Sequence, residues 1–171
     1  MLTSFKKFSY LITFTLTLWA SLTALAISQN QEELKVLKSI LENSKYPILK
    51  NPIRQEYIDQ LDLDLSYFNI LNPCKYELEK NTELLTKEEI IKLNAAFKEL
   101  ESFVFDLDSP NLIEDKNEST PQTTSITIPV FFRNGKFAAY YSEQRYGGQM
   151  NLLKKENNKW VRYCSYLVWI E

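Results

Sequence analysis

The clearest structural pattern in this chain lies in residues Thr123–Glu171, TTSITIPVFFRNGKFAAYYSEQRYGGQMNLLKKENNKWVRYCSYLVWIE. Four apolar and aromatic runs alternate in it with short polar turns, which is typical of an antiparallel meander. Asn134-Gly135 separates the first two runs and favours a tight type I′ hairpin, because both positions of that turn require positive φ. Glu156-Asn157-Asn158 supplies a second hairpin turn. The C-terminal part is therefore predicted to form an antiparallel sheet of four or five strands.

The limits of these runs predict four strands: Ile126–Arg133, Lys136–Glu143, Gln149–Lys155 and Lys159–Ile170. Pro129 cannot donate a ladder hydrogen bond, so the first strand is predicted to lie at an edge or to carry a bulge.

The last strand is apolar on both faces if its side chains alternate strictly. Such a strand is predicted to be central in the sheet, or to line a cavity on its second face. Strict alternation places Trp160, Cys164, Tyr166, Val168 and Ile170 on one face, and Val161, Tyr163, Leu167 and Trp169 on the other.

The residues before the sheet predict helices. Thr86–Phe105 opens with the Thr86/Glu89 pattern of a capping box and continues with an apolar stripe, so it is predicted to be a long amphipathic helix lying across the sheet. Gln29–Asn43 has helical apolar spacing, and Ile53–Leu61 predicts a second, shorter helix. Alternation from Asp62 to Leu71 predicts a strand, which Asn72-Pro73 ends.

These elements predict one α+β domain over residues 27–171, with N-terminal helices and the long amphipathic helix packed on the C-terminal antiparallel sheet of four to five strands. Residues 106–125 are polar and contain two prolines, which predicts a mobile loop between the helix and the sheet.

The first 26 residues have the three-part pattern of a secretory signal peptide: Lys6 and Lys7, an uncharged apolar run, and Ala24-Leu25-Ala26. A secreted or periplasmic protein is therefore predicted. The alternative is an uncleaved anchor, and contact with a membrane is expected only in that case. Cleavage would leave 145 of the 171 residues, with 18 basic and 22 acidic side chains.

Cys74 and Cys164 are the only cysteines in the chain. An isolated pair in an oxidising compartment is most simply one disulfide bond. Two buried free thiols are the alternative.

Composition excludes several functions. The chain has no histidine, which removes the commonest general base and the commonest metal ligand. Its net charge of −2 gives no electrostatic footprint for nucleic acid or an anionic membrane surface. Only three glycines are present, and none form a phosphate-binding loop. We expect no cofactor and no metal.

Two acidic pairs, Asp62/Asp64 and Asp106/Asp108, remain as candidates for acid–base chemistry. Carboxylates two apart are also ordinary on a strand face and in a turn before proline. A carboxylate-dependent hydrolase is therefore the alternative function.

Tyrosine and tryptophan are concentrated in the predicted sheet, with Arg133, Arg145 and Arg162 among them. Aromatic faces interleaved with arginine are typical of surfaces that bind sugars or proteins, although aromatics also favour strands for their own sake. The residues expected to bind a protein or glycan partner are Tyr140, Tyr141 and Tyr163.

Ile128–Tyr141, Gly147-Gly148, Leu152–Ile170 and the helix start LTKEEI together resemble a set of small, uncharacterised secreted bacterial proteins. The resemblance covers about 85 residues and implies no known activity. Such proteins often have Cys-Gly steps where this chain has Gln144–Gly148, so a disulfide carried by that turn is absent here. The expected function is non-catalytic binding; a purely structural envelope component is a further alternative.

Overall fold

The computed structural model describes residues 31–51, 53, 64–71, 74, 84–100, 105, 107–114 and 123–171. The chain divides into two compact units, Met1–Lys35 and Val36–Glu171. In the first unit residues 31–35 are helical, and Lys35 Nζ lies 2.7 Å from Glu32 Oε1. The expected leader lies outside the described residues. None of the helices in the described ranges is long and apolar enough to cross a membrane.

The described part of the second unit holds seven strands: β1 (Ile48–Leu49), β2 (Leu112–Ile113), β3 (Ser125–Ile126), β4 (Val130–Phe132), β5 (Phe137–Gln144), β6 (Gly147–Glu156) and β7 (Lys159–Ile170). β3, β5, β6 and β7 follow one another in an antiparallel sheet, and β4 pairs with β5 beside β3. The predicted α+β class and a C-terminal antiparallel sheet of five strands are confirmed. β1 and β2 form a separate parallel pair.

Pro129 lies in the break between β3 and β4, at an edge of the sheet as predicted. The register shifts by one residue across the break, from Ile126 opposite Ser142 to Val130 opposite Ala139. Thr127 bridges the irregularity: its amide N donates to Tyr141 O at 2.9 Å, and its Oγ1 accepts from Tyr141 N at 3.0 Å. A side-chain hydroxyl therefore replaces a ladder carbonyl.

Both predicted hairpin turns form, because their central residues adopt positive φ. Asn134 and Gly135 have φ of 54° and 71°, and Lys136 N donates to Arg133 O at 3.2 Å. Asn157 and Asn158 have φ of 48° and 63° and join β6 to β7. β5 and β6 are joined by the two residues Arg145-Tyr146.

The predicted alternation along β7 is wrong, because the strand carries two irregularities opposite Gly148/Gln149 and Leu152/Leu153. Tyr163 and Val168 are the extra residues there and flip the alternation. As a result Trp160 and Cys164 face opposite sides of the sheet. β7 also pairs only with β6 among the described strands, so it lies at an edge and not at the centre.

One side of the sheet, face A, carries Ala139, Tyr141, Met150, Leu152 and Cys164. The helix Lys87–Lys98 covers it with Leu93 and Phe97. A short helix, Tyr67–Leu71, adds the fully buried ring of Phe68, whose centroid is 4.6 Å from that of Tyr166.

The strand predicted for Asp62–Leu71 is therefore wrong over its described part, residues 64–71. Asp64 Oδ1 accepts from Ser66 N at 2.8 Å, a turn that starts a helix and ends extended backbone. Burial of Phe68 under Tyr166 then outweighs the alternating pattern.

The other side, face B, carries Ala138, Tyr140, Ser142, Asn151 and Leu153. It is covered by residues 36–43, which are helical and contribute Val36, Leu37, Ile40 and Leu41, together with Ile48, Phe105 and Leu112. Both faces are therefore closed by apolar side chains, which a sheet with one wet face would not require.

The mobile loop predicted for residues 106–125 contains secondary structure in its described parts, 107–114 and 123–125. Leu112 is 7% exposed, and β2 pairs with β1. Thr124 N donates to Pro47 O at 2.9 Å, so the chain is held again before β3. The expected helix Ile53–Leu61 is described only at Ile53, which is not helical and donates to Ile126 O at 2.9 Å.

The predicted capping box is present: Thr86 Oγ1 accepts from Glu89 N at 3.2 Å, and Glu89 Oε2 accepts from Thr86 N at 2.9 Å. The helix ends at Lys98, earlier than Phe105, which is buried in the face B cluster and is not helical. Glu89 also binds Arg133 through both carboxylate oxygens, at 2.6 and 2.9 Å. The capped end is thereby fixed to the first hairpin.

Glu89→Gln is expected to cost about 1 kcal/mol near neutral pH, a modest value because the bidentate pair is partly exposed and screened. The hydrogen bond from Arg133 holds the pKa of Glu89 below its usual value. Its stabilising contribution is therefore full above the unfolded pKa of about 4.3 and is lost as pH falls through the lower folded pKa. Urea unfolding of both proteins at neutral and acidic pH should show the difference vanish in acid; a difference independent of pH would contradict this.

Cys74 and Cys164 form a disulfide bond, as predicted, with their Cα atoms 5.5 Å apart across a sequence separation of 90 residues. Both side chains lie in the face A cluster. The bond therefore ties residues upstream of the capped helix to the edge strand β7.

Candidate functional site

A polar groove opens over face B at the end of the sheet where β5 turns into β6. It consists of two adjoining cavities of about 310 and 250 Å³. The cavities share four lining residues: Tyr46, Ser142, Gln144 and Gln149. A groove of this size suits part of an extended ligand or a small molecule.

The floor of the groove belongs to β5 and β6, and its wall is the segment that follows the helical residues 36–43. Ser44 Oγ donates to Tyr46 O at 2.6 Å, and the Thr124–Pro47 hydrogen bond holds the same segment against β3. Asn111 Nδ2 caps the end of the helix by donating to Leu41 O at 3.0 Å. Segments far apart in sequence are thus fixed around one opening.

Amides and hydroxyls dominate the floor. Gln144 Nε2 donates to Thr124 Oγ1 at 3.1 Å, and Asn151 Nδ2 donates to Ser142 Oγ at 2.9 Å. Asn151 is 1% exposed, and its Oδ1 has no hydrogen-bond partner among the described residues. Asn151 lines neither cavity, so this buried atom is not presented to a ligand in the groove.

Three cationic side chains surround the groove: Lys45, Arg145 and Arg162. The described residues that line it include no aspartate or glutamate. Five other cations in the described ranges form ion pairs, but none of these three does. Arg162 Nη2 instead donates to the neutral Gln149 Oε1 at 3.4 Å and to Ser165 Oγ. The groove is therefore locally positive in a chain whose net charge is −2.

Tyr46, Tyr140 and Tyr146 provide aromatic surface in the groove. Tyr146 is 59% exposed at the turn, and the Arg145 guanidinium lies 5.3 Å from its ring centroid. The Lys45 ammonium lies 5.2 Å from the Tyr46 centroid. Aromatic rings beside cations and amides combine stacking surface with hydrogen-bond donors.

Burial raises the pKa of Tyr140 to about 12, and the nearby charge of Arg162 acts in the opposite direction. A raised tyrosine pKa adds stability that is complete below the unfolded pKa of about 10 and is lost as pH rises through the folded pKa. In an ultraviolet titration compared with Tyr140→Phe, we expect this phenol to ionise at about pH 12. Arg162→Gln should raise the value further; ionisation near pH 10 would contradict the burial.

The three tyrosines expected to bind a partner do not share one surface. Tyr140 lies on face B and lines the groove. Tyr141 lies on face A and is fully buried, with Oη accepting from Trp169 Nε1 at 2.7 Å. Tyr163 packs edge-on against Phe137 at 5.7 Å between ring centroids. Adjacent β5 residues point to opposite faces, which separates the first two.

The aspartates considered for catalysis are only partly described. Asp62 and Asp106 lie outside the described residues. Asp64 uses its carboxylate in the turn with Ser66, and its carbonyl accepts from Tyr166 Oη at 2.9 Å on face A. Asp108 is exposed beside Leu107, which packs against the face B cluster. No group of three or more potential metal ligands occurs within the described ranges.

Sequence reasoning pointed to Arg145 and Arg162 through their aromatic neighbours, but it missed Tyr46, Gln144 and Gln149. Tyr46 lies in a short proline-bounded connector with no motif, about 100 residues before the strands it joins in space. Strand alternation could have identified Gln144 and Gln149, because it places both side chains on the same face as Ser142.

Comparison with known proteins found no matching family model, no similar curated protein and no similar solved structure.

Proposed function

We propose that this protein is a secreted or periplasmic, non-catalytic binding module whose ligand is a glycan held in the face B groove. The observation that carries the proposal is the composition of the groove: tyrosines, neutral amides and hydroxyls, and cations beside aliphatic side chains such as Leu167 and Ile170, with no carboxylate among the described lining residues. Sugars present hydroxyls for amide and guanidinium groups and flat C–H faces for tyrosine rings.

Secretion is supported by the signal-peptide pattern of residues 1–26 and by the disulfide between Cys74 and Cys164. Disulfide bonds of this kind persist in oxidising compartments, where envelope and extracellular glycans are also found.

The carboxylate-dependent hydrolase has less support. General acid–base hydrolysis of a glycosidic bond requires two carboxyl groups facing one cleft. The part of the groove lining that the structure describes contains none, and Asp64 and Asp108 belong to segments associated with opposite faces of the sheet.

Binding is tested with the purified protein against a panel of soluble polysaccharides by affinity electrophoresis, followed by calorimetry on any ligand found. Tyr46→Ala and Tyr146→Ala are expected to lower affinity about tenfold, because truncating a central aromatic anchor costs more than 1 kcal/mol.

Tyr67→Ala is the matched control. Tyr67 is 43% exposed on the short helix over face A, away from the groove. It should bind like the unmodified protein, and all variants should keep the same melting behaviour. Equal loss in all three variants would contradict the location. Failure of every polysaccharide to bind would contradict the glycan, and capture of a protein through Tyr46 and Tyr146 would replace it as the ligand.

A further inference from the structure

We infer that the ligand of the groove is an acidic glycan, a sugar chain whose rings carry carboxylate or sulfate groups. The inference rests on the proposed function and adds the charge of the ligand. It concerns the three cations Lys45, Arg145 and Arg162.

Lys45, Arg145 and Arg162 have long side chains at the mouth of one groove, and none of them forms an ion pair within the described ranges. In the rest of the described chain Arg133 shows the usual arrangement, with both Glu89 oxygens bound at 2.6 and 2.9 Å. Like charges gathered without counter-ions repel one another, and an anion in the groove would relieve that repulsion.

The guanidinium of Arg162 has donors available to a ligand in the groove. Among the described residues it donates to neutral oxygen atoms, Gln149 Oε1 at 3.4 Å and Ser165 Oγ. The longer contact is a weak hydrogen bond, so the guanidinium keeps donors for a carboxylate or sulfate. Arg145 lies against the exposed Tyr146 ring at the opposite cavity, where a stacked sugar would bring its acidic substituent close.

Two glutamates lie near the groove without lining it. Glu171 lies beside Tyr146, since its amide N donates to Tyr146 O at 3.2 Å, but it is not among the residues that line either cavity. Glu143, next to Gln144 on β5, points to face A and accepts from Tyr141 Oη at 3.2 Å. Strand alternation thus turns the one carboxylate of this strand end away from the groove.

A ligand in the groove meets neutral hydrogen-bonding groups as well as cations, together with the aliphatic side chains of Leu167 and Ile170. The shared floor residues Ser142, Gln144 and Gln149 are neutral hydrogen-bonding groups. Inorganic anions would satisfy the cations alone, whereas a glycan also uses the amides and the tyrosine rings.

The experiment compares matched pairs of oligosaccharides by calorimetry: uronate chains against their carboxyl-reduced forms, and sulfated chains against their desulfated forms. For at least one pair the acidic member should bind about tenfold or more tightly, and its advantage should shrink as salt rises to about 0.5 M. Arg145→Gln and Arg162→Gln should each reduce the affinity for the acidic member about fivefold, and should reduce the affinity for the neutral member by less.

Lys87→Gln is the control, since it removes one exposed positive charge from the capped helix over face A. Its affinity should match that of the unmodified protein. Equal binding of both members of every pair, unaffected by the arginine substitutions, would overturn the inference and leave the proposed function standing. Absence of binding by all members would overturn both. The carboxylate and sulfate arms identify which anion is recognised.

Discussion

Gly148→Ala is expected to lower the free energy of unfolding by about 3 kcal/mol, at the upper end of overpacking effects. A Cβ atom at this position would fall inside contact distance of Tyr141 Oη, 2.5 Å from Trp169 Nε1 and 2.7 Å from Tyr141 Cζ. Tyr141 is fully buried and cannot move aside without disturbing the face A core. The methyl group would also separate the Trp169–Tyr141 hydrogen bond. Urea unfolding measures the change.

Two further variants make this prediction specific. Gly135→Asn has open space around its Cβ, and asparagine tolerates its φ of 71°, so it should cost less than about 1 kcal/mol. Removing the Tyr141 hydroxyl should make the Gly148 substitution less costly, so Gly148→Ala in a Tyr141→Phe background should lose less stability than in the unmodified chain. An equal loss in both backgrounds would show that the phenol does not set the constraint.

Reduction of the Cys74–Cys164 bond is expected to lower the free energy of unfolding by about 2–4 kcal/mol. The bond closes a loop of 90 residues and joins the described chain near the short helix to β7, an edge strand with one paired neighbour. Without it, Cys74 would be held against β7 by the packing of the face A cluster. Unfolding of oxidised and reduced protein in matched urea series measures the loss.

The Cys74→Ala/Cys164→Ala variant separates the bond from the effect of the reductant. It should unfold like the reduced protein and show no response to reductant. Identical stability of oxidised and reduced protein, or two thiols that react with an alkylating reagent before reduction, would contradict the disulfide.

Local chemistry explains which parts of the fold were predictable. The hairpins at Asn134-Gly135 and Asn157-Asn158 and the capping box at Thr86/Glu89 each need only neighbouring residues, and all three form. Each satisfies backbone groups within a few residues, so tertiary packing seldom overrides it.

Longer-range packing explains the errors. The short helix Tyr67–Leu71 replaces a predicted strand because Phe68 is buried against Tyr166, about 100 residues later. The bulges of β7 depend on its pairing with β6, and they move Trp160 to the other face. The alternation pattern of a single strand does not reveal a bulge. The sheet face predicted for every residue on the far side of the bulge is therefore reversed.

The candidate site was predictable only in its kind. Tyrosines with interleaved arginines indicated a binding surface, and Tyr140, Arg145 and Arg162 do line one groove. Tyr46 and Lys45 also line the groove because the hydrogen bond from Thr124 N to Pro47 O holds their segment against β3. No local sequence pattern predicts this contact. Tyr141 illustrates the limit, since residue type alone does not separate a core tyrosine from a surface one.

If the groove over face B is the ligand site, an NMR titration of isotopically labelled protein with the tightest-binding acidic oligosaccharide should perturb the residues that line it. The predicted result is a set of shifts confined to Tyr46, Ser142, Gln144 and Gln149 and to the arginine Nε resonances of Arg145 and Arg162. Shifts centred on the short helix Tyr67–Leu71 or along the face A side of the sheet, with the groove residues unmoved, would contradict it.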